Sequence, residues 1–319
     1  MQTSSTNIIN SINSIESINS IFTQAFYYQD EHQLKSAHLL LNNLYYTLMY
    51  NEDESLLLNE KMLKRLKILE DEWIRHEKNE SLCRYDFTQQ VNNIALIELA
   101  LKRHVAYHHP LFDYLSAEAT EQELKQFILN ESVLNVEFFD YLALSVIGVS
   151  DEVRAEIMSN LWDEAGKGKI HQFHTVLFKK LLHDLDLTYK RDMIVANMSW
   201  QSLAGINLFN YFARYPHNKM KYFGMLAATE MLDPDHYIKL MDGMNKIFKT
   251  RKIDCTYYLE HQLIDIHHAS GWLNNVILPE LAKNPQKIAD FWLGFYMRLD
   301  SVARYYDYLL NHFTTQLAA

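Results

Sequence analysis

Glycine and proline are scarce, at 8 and 5 among 319 residues, and no glycine precedes Gly148. Strands and hairpins need such residues at their turns, so the shortage excludes a chain of short β-strands and predicts helices throughout. Cysteine is rarer still. Cys83 and Cys255 are too few for a disulfide framework and too far apart for a CxxC metal clip, which fits a reducing cytoplasm. No stretch approaches about 18 uninterrupted apolar residues, and the opening MQTSSTNIINS lacks the basic and apolar regions of an export signal. Neither a membrane span nor a leader is expected. Positive charge is in deficit too: the formal charge is −10, and scattered Lys and Arg form no basic stripe for nucleic acid and no polybasic patch for an anionic membrane. A phosphate-cradling glycine loop, a GxSxG elbow and a Cys/His nucleophile pair are all missing. Small molecules or proteins remain as partners.

What is present is helical periodicity. NIINSINSIESINSIFTQAFYY, about 7–28, places Ile every three or four residues and predicts an amphipathic packing helix. Helices are expected next over about 32–50, 55–79 and 86–107, the last ended by Pro110, because proline disfavours helical geometry in the residue before it. We place a boundary there, between a helical N-terminal extension (1–109) and a helical domain (110–319). In the second part the expected helices run over about 121–147, 151–184 with an internal GKG, 191–214, 218–231, 235–248, 253–276 and 285–315. Asp233 and Pro234 read as an N-cap and first-turn pair that separates 218–231 from the next helix. The fold class is all-α, an antiparallel bundle.

The strongest chemical signal is YYLEHQLIDIHHASGW, where His261, Asp265 and His268 stand at i, i+4 and i+7. At about 100° per residue these share one helix face, so two imidazoles and a carboxylate can converge on one cation, a mixed set that suits iron or manganese. Glu260 and His267 point about 100° away and belong to supporting contacts or to the surface. A second signal is NLWDEAGKGKIHQFHTVLF, with Glu164, His171 and His174. On a straight helix Glu164 and His171 share a face, whereas His174 drifts about 80° off it. Gly166 and Gly168 lie between the candidates and can change that phase. Late in the chain, Arg298 and Arg304 of the aromatic FWLGFYMRLDSVARYYDYLL are candidates to meet a substrate carboxylate.

The DExGxG phrase, the HxxLF that follows it and the later HxxxDxxH together resemble the haem-oxygenase-like di-iron oxidases and oxygenases, described broadly as iron-containing redox enzymes. The resemblance covers about Pro110 to the C-terminus. It implies a haem-oxygenase-like helical bundle in which Glu164, His174, His261, Asp265 and His268 hold metal, and in which Glu230 of LAATEML stands where the family places a bridging glutamate. Where some members carry a further glutamate three residues before the HxxLF histidine, this chain has His171. Where some draw a carboxylate from the preceding helix, it offers Glu131 and Glu137, of which Glu131 ranks slightly higher. The implied cofactors are two irons per chain, Fe(II)/Fe(III), with O2 as co-substrate; the implied substrate is a small amino acid, amine or fatty acid. An external electron donor and a homodimer are further partners that such a protein allows. Two other classes compete: a metal-free or haem-binding protein of the same fold, similar to pyrroloquinoline-quinone synthase, and a non-enzymatic helical iron-binding or interaction module.

Overall fold

The computed structural model describes residues 23–52, 59–88 and 94–316. Among them no strand occurs, and the α-helices in chain order are α1 (Glu31–Tyr50), α2 (Glu60–Arg84), α3 (Ile94–Arg103), α4 (Pro110–Ala117), α5 (Glu121–Ser145), α6 (Asp151–Glu164), α7 (His174–Asp184), α8 (Arg191–Asn197), α9 (Trp200–Arg214), α10 (Lys219–Ile247), α11 (Thr256–Gly271), α12 (Leu278–Lys283) and α13 (Ile288–Gln316). The all-α expectation holds. The expected 7–28 helix lies outside the described residues as far as residue 22, and Thr23–Tyr27 forms one π-helical turn.

Local chemistry sets most helix starts. Asp30, Asn59, Ser150 and Ser199 each accept a backbone N–H of the first turn that follows, and Thr120 with Glu123 forms a complete capping box. Three expectations change. Pro110 opens α4 rather than ending its predecessor, since proline at the first helical position gives up an N–H that had no partner anyway. The single helix expected over 191–214 is two, because Ser199 caps α9 afresh. The expected break at Pro234 does not occur: α10 runs through it, with Leu232 buried just before and His236 and Leu240 just after, so burial of both halves overrides the local stop signal.

The long helices α10 and α13 form the centre. They approach so closely that a Cβ on Gly224 would lie 2.3 Å from the Phe291 carbonyl oxygen, and one on Gly294 would lie 1.8 Å from that of Lys221. One contiguous core runs from Leu34, Tyr45 and Trp73 of the extension to Phe291, Leu309 and Phe313 of α13. The helices before Pro110 are bound to the later ones by buried polar contacts as well. Glu77 receives two 2.8 Å bonds from Arg304, and Asp300 accepts from Ser81 at 3.0 Å and Tyr85 at 2.7 Å. Among the described residues no helix is long and apolar enough to cross a membrane.

Candidate metal centre

Helix α11 is straight over its ligand-type residues, so spacing alone turns His261, Asp265 and His268 inward; all three are buried, while Glu260 and His267 are exposed. Each inward histidine is held by its far nitrogen. His261 Nδ1 donates to the Tyr257 carbonyl at 2.8 Å, and His268 Nε2 faces Asp163 Oδ2 at 3.3 Å. Such contacts fix the tautomer and leave the other ring nitrogen free to face a metal.

Glu164 ends α6, and the chain then reverses. Gly166, Lys167 and Gly168 have φ of 56°, 55° and 81°, three successive residues in the left-handed region. A Cβ on Gly166 would lie 2.4 Å from the Gln172 backbone, and one on Gly168 would lie 2.9 Å from the Trp162 ring, so glycine is required at both. This reversal makes His174 the first residue of α7 and brings its Nδ1 to 2.9 Å from Glu164 Oε2 and 3.2 Å from His261 Nε2. His171 sits in the intervening turn and is exposed. The straight-helix alternative fails because the helix ends before it reaches that residue. His171 therefore joins no group of inward donors.

Glu230, buried on α10, faces His268 Nδ1 at 3.4 Å. Two groups of donors result: Glu164, His174 and His261 form one, and Glu230, Asp265 and His268 the other, with the donor atoms of each group within 4.8 Å of one another. Two donors held about 2.1 Å from one cation lie at most about 4.2 Å apart, so each group needs little contraction to close on an ion. Glu131 belongs to neither group, although it borders the same 30 Å³ cavity as Glu164, Glu230, His261 and Asp265. Glu137 is committed elsewhere: it is paired with Arg191 and accepts from the Tyr141 hydroxyl at 2.7 Å.

The electrostatics show a site short of positive charge. Burial pushes the Asp265 carboxyl well above the usual range, and Glu230, Asp233 and Glu164 push it further. One Asp265 oxygen and His268 Nδ1 are buried without a hydrogen-bond partner, which is costly unless a cation takes both. Burial alone would raise Glu164, yet the His174 and His261 imidazoles hold it below the ordinary range. Burial opposes charge on His268 too, but Glu230 brings that imidazole up to about 9. Imidazoles with carboxylates on two adjacent, buried groups fit iron, and residues 125–303 match the family model described as iron-containing redox enzyme.

The chain belongs to the iron-containing redox enzyme family. No curated protein matches the chain. Among solved structures it is similar to a CadD-like protein of unknown function from Nostoc punctiforme, at 16% identity and TM-score 0.54, over 74% of this chain and 98% of that one. It is similar also to a domain of unknown function with a heme oxygenase-like fold from Shewanella denitrificans, at 12% identity and TM-score 0.55, over 70% of this chain and 95% of that one. At these identities the likeness shows the fold, which is haem-oxygenase-like.

Sequence reasoning missed two carboxylates of this site. Asp163 supports His268, and its only signal was its place beside Glu164. Asp233, taken for a helix cap, lines the cavity from within α10 and accepts from the Tyr237 hydroxyl at 3.3 Å. Its i, i+3 relation to Glu230 would have revealed it in a helix read as continuous. A second cavity, of 400 Å³, also reaches Glu230 and Asp265, and part of its wall is Ile94, Leu101 and Lys102 of α3.

Proposed function

We propose that this protein is a non-haem di-iron oxidase or oxygenase that uses dioxygen to oxidise a small amino acid, amine or carboxylic acid. The observation that carries the reading is the pair of buried three-residue groups, each mixing imidazole with carboxylate and standing on one cavity. Glu164, His174 and His261 would hold one iron and Glu230, Asp265 and His268 the other. When bound, two ferrous ions supply electrons that activate dioxygen. The chain does the rest. Tyr257 and Asp163 orient two of the imidazoles, the 30 Å³ cavity leaves room for only a few water-sized groups, and the buried carboxylates set the charge against which a substrate is placed.

Anaerobic loading with Fe(II) followed by elemental analysis tests the reading: close to two irons per chain are expected, with oxygen uptake on exposure to air and a suitable acid or amine. A limit of one iron that does not depend on Asp265 would count against it.

A further inference from the structure

Arg298 is a buried charge that forms no ion pair, although Glu131 and Asp233 stand near enough to feel it. It is 7% exposed. Its neighbour on α13, Arg304, is bonded by both oxygens of Glu77, and the buried Arg191 is paired with Glu137. Arg298 makes one hydrogen bond, Nε to Thr229 Oγ1 at 3.0 Å, and its Cζ stands 5.1 Å from the centre of the Phe209 ring. Among the described residues its two Nη nitrogens have no acceptor and no carboxylate forms an ion pair with it. A guanidinium largely removed from water is costly unless an anion or several acceptors meet it, and this one makes a single hydrogen bond and no ion pair.

Its position says what the anion does. Arg298 borders the 30 Å³ cavity that holds Glu164, Glu230, His261 and Asp265, and it also borders a second cavity of 30 Å³ on the far side of Glu131 and Tyr306. Thr229, which fixes the guanidinium, is the residue before Glu230. Gly205 leaves room on the other side, since even an added Cβ would stay 3.9 Å from Nη1. The guanidinium thus stands between the two cavities, with Nε on Thr229 and Nη1 toward Gly205, and borders the space that the inward donor groups share. Its planar fork of donors matches a carboxylate through two parallel bonds.

We propose that Arg298 is the anchor for the carboxylate of the substrate, and that the substrate is a short carboxylic acid carrying a further hydrogen-bond donor such as an amino group. The donor follows from the rest of the lining: Glu131 and Asp233 border the cavity and offer acceptors. A long alkyl chain does not find the volume there. The proposal rests on the di-iron reading only for what the anchored molecule faces; the anchor itself depends on Arg298 alone.

Calorimetric titration of the full-length protein, metal-free and anaerobically loaded with Fe(II), tests it. The probes are α-amino acids from glycine to leucine and straight-chain acids from acetate to decanoate, each beside its primary amide. At least one short amino acid should bind, its amide should bind about 10-fold or more weakly, and Arg298→Gln should remove that preference while elemental analysis shows unchanged iron. Arg298→Lys keeps the charge without the fork; it should recover only part of the preference, and it serves if the glutamine variant does not fold. Acids binding no better than amides, a preference that survives Arg298→Gln, or no probe binding at all would overturn the anchor. A protein that binds acids through Arg298 but takes up no iron would instead overturn the di-iron reading and leave the anchor standing.

Discussion

Gly166→Ala tests whether the reversal after α6 is what delivers His174. Alanine at a φ of 56° enters the left-handed region, at a cost of about 1–2 kcal/mol. Its Cβ would also lie 2.4 Å from the Gln172 backbone, a contact that must be relieved, and overpacking of this kind costs about 1–3 kcal/mol. If the loop holds, the protein therefore loses about 2–5 kcal/mol, read as a lower urea midpoint. If the loop yields, the strain is relieved by moving Gln172 and with it His174, two residues on, away from Glu164 at 2.9 Å. Stability is then partly recovered, and iron at that group is lost. Either way one of the two readouts must fall. Lys167→Gly is the matched control. It removes the strain of a lysine at a φ of 55° but adds chain entropy to the unfolded state, and the two nearly cancel, so stability within about 1 kcal/mol of the parent and full iron loading are expected. A Gly166→Ala protein with parental stability and two irons per chain would refute the reasoning.

Three further outcomes are expected. His174→Ala should weaken iron by more than the roughly 10–100-fold typical of a supporting residue and abolish oxygen-dependent turnover, whereas exposed His171→Ala should keep two irons; the reverse pattern in elemental analysis would mean that the reversal does not exist in solution. Deleting the residues before about His104 removes no inward donor, yet it strips Glu77 from Arg304 and Ser81 and Tyr85 from Asp300 and, with Trp73 gone, uncovers Tyr211. The truncated chain should aggregate, and Glu77→Gln alone should cost about 3 kcal/mol in urea unfolding; a soluble, folded truncation would separate extension from bundle. Asp265→Asn should act with opposite signs on its two readouts, stabilising the metal-free protein at pH 7 while lowering iron uptake. A carboxyl raised in the folded state costs stability only above its unfolded value of 3.8, so the gain must vanish as pH falls below about 4, and a gain that persists there has another cause.

The parts of the site that were legible in the sequence are those that a single regular element specifies. His261, Asp265 and His268 need only the rise and turn of a straight helix, and α11 supplies it. Glu164 and His174 were harder, because helical phase selects His171, and only the glycines announced that the phase breaks. Glu230 could be placed by resemblance but by no spacing rule, since the loop and helix start that bring α11 beside α10 lie between it and His261. Asp233 was lost to a sound local rule. Pro234 lacks the N–H that would have bonded the carbonyl four residues earlier, which is that of Glu230, so the one weakened bond in α10 falls at an inward donor rather than at a helix end. Arg298 and Arg304 look alike in the sequence, a turn and a half apart on one helix, and only Glu77 far away in α2 tells them apart. The same holds for the extension. Its Ile repeat suggested a packing helix, but the contacts that join it to α13 pair residues more than two hundred positions apart, beyond any periodicity.

Charge balance joins the two donor groups into one site. Glu131, Glu164, Glu230, Asp233 and Asp265 border the cavity with Arg298 as the only arginine or lysine among them. Fully ionised, five carboxylates against one guanidinium leave four negative charges in a space of 30 Å³, and burying even one unpaired ion costs several kcal/mol. A protein that needed these groups only for stability would replace them, since apolar residues of similar volume are often neutral or better at such positions. The chain instead spends α6, α10 and α11 on turning them inward, and it tolerates a left-handed lysine and a proline in mid-helix beside them. Two divalent cations carry the four positive charges that would neutralise the four negative ones. One cation would satisfy either group of three donors and leave the other in the state that Asp265 now shows, with its carboxyl driven upward by Glu230, Asp233 and Glu164 and one oxygen without a partner. This charge balance supports the proposed pair of ions, of which the second should bind with the help of the carboxylates that the first leaves exposed to one another.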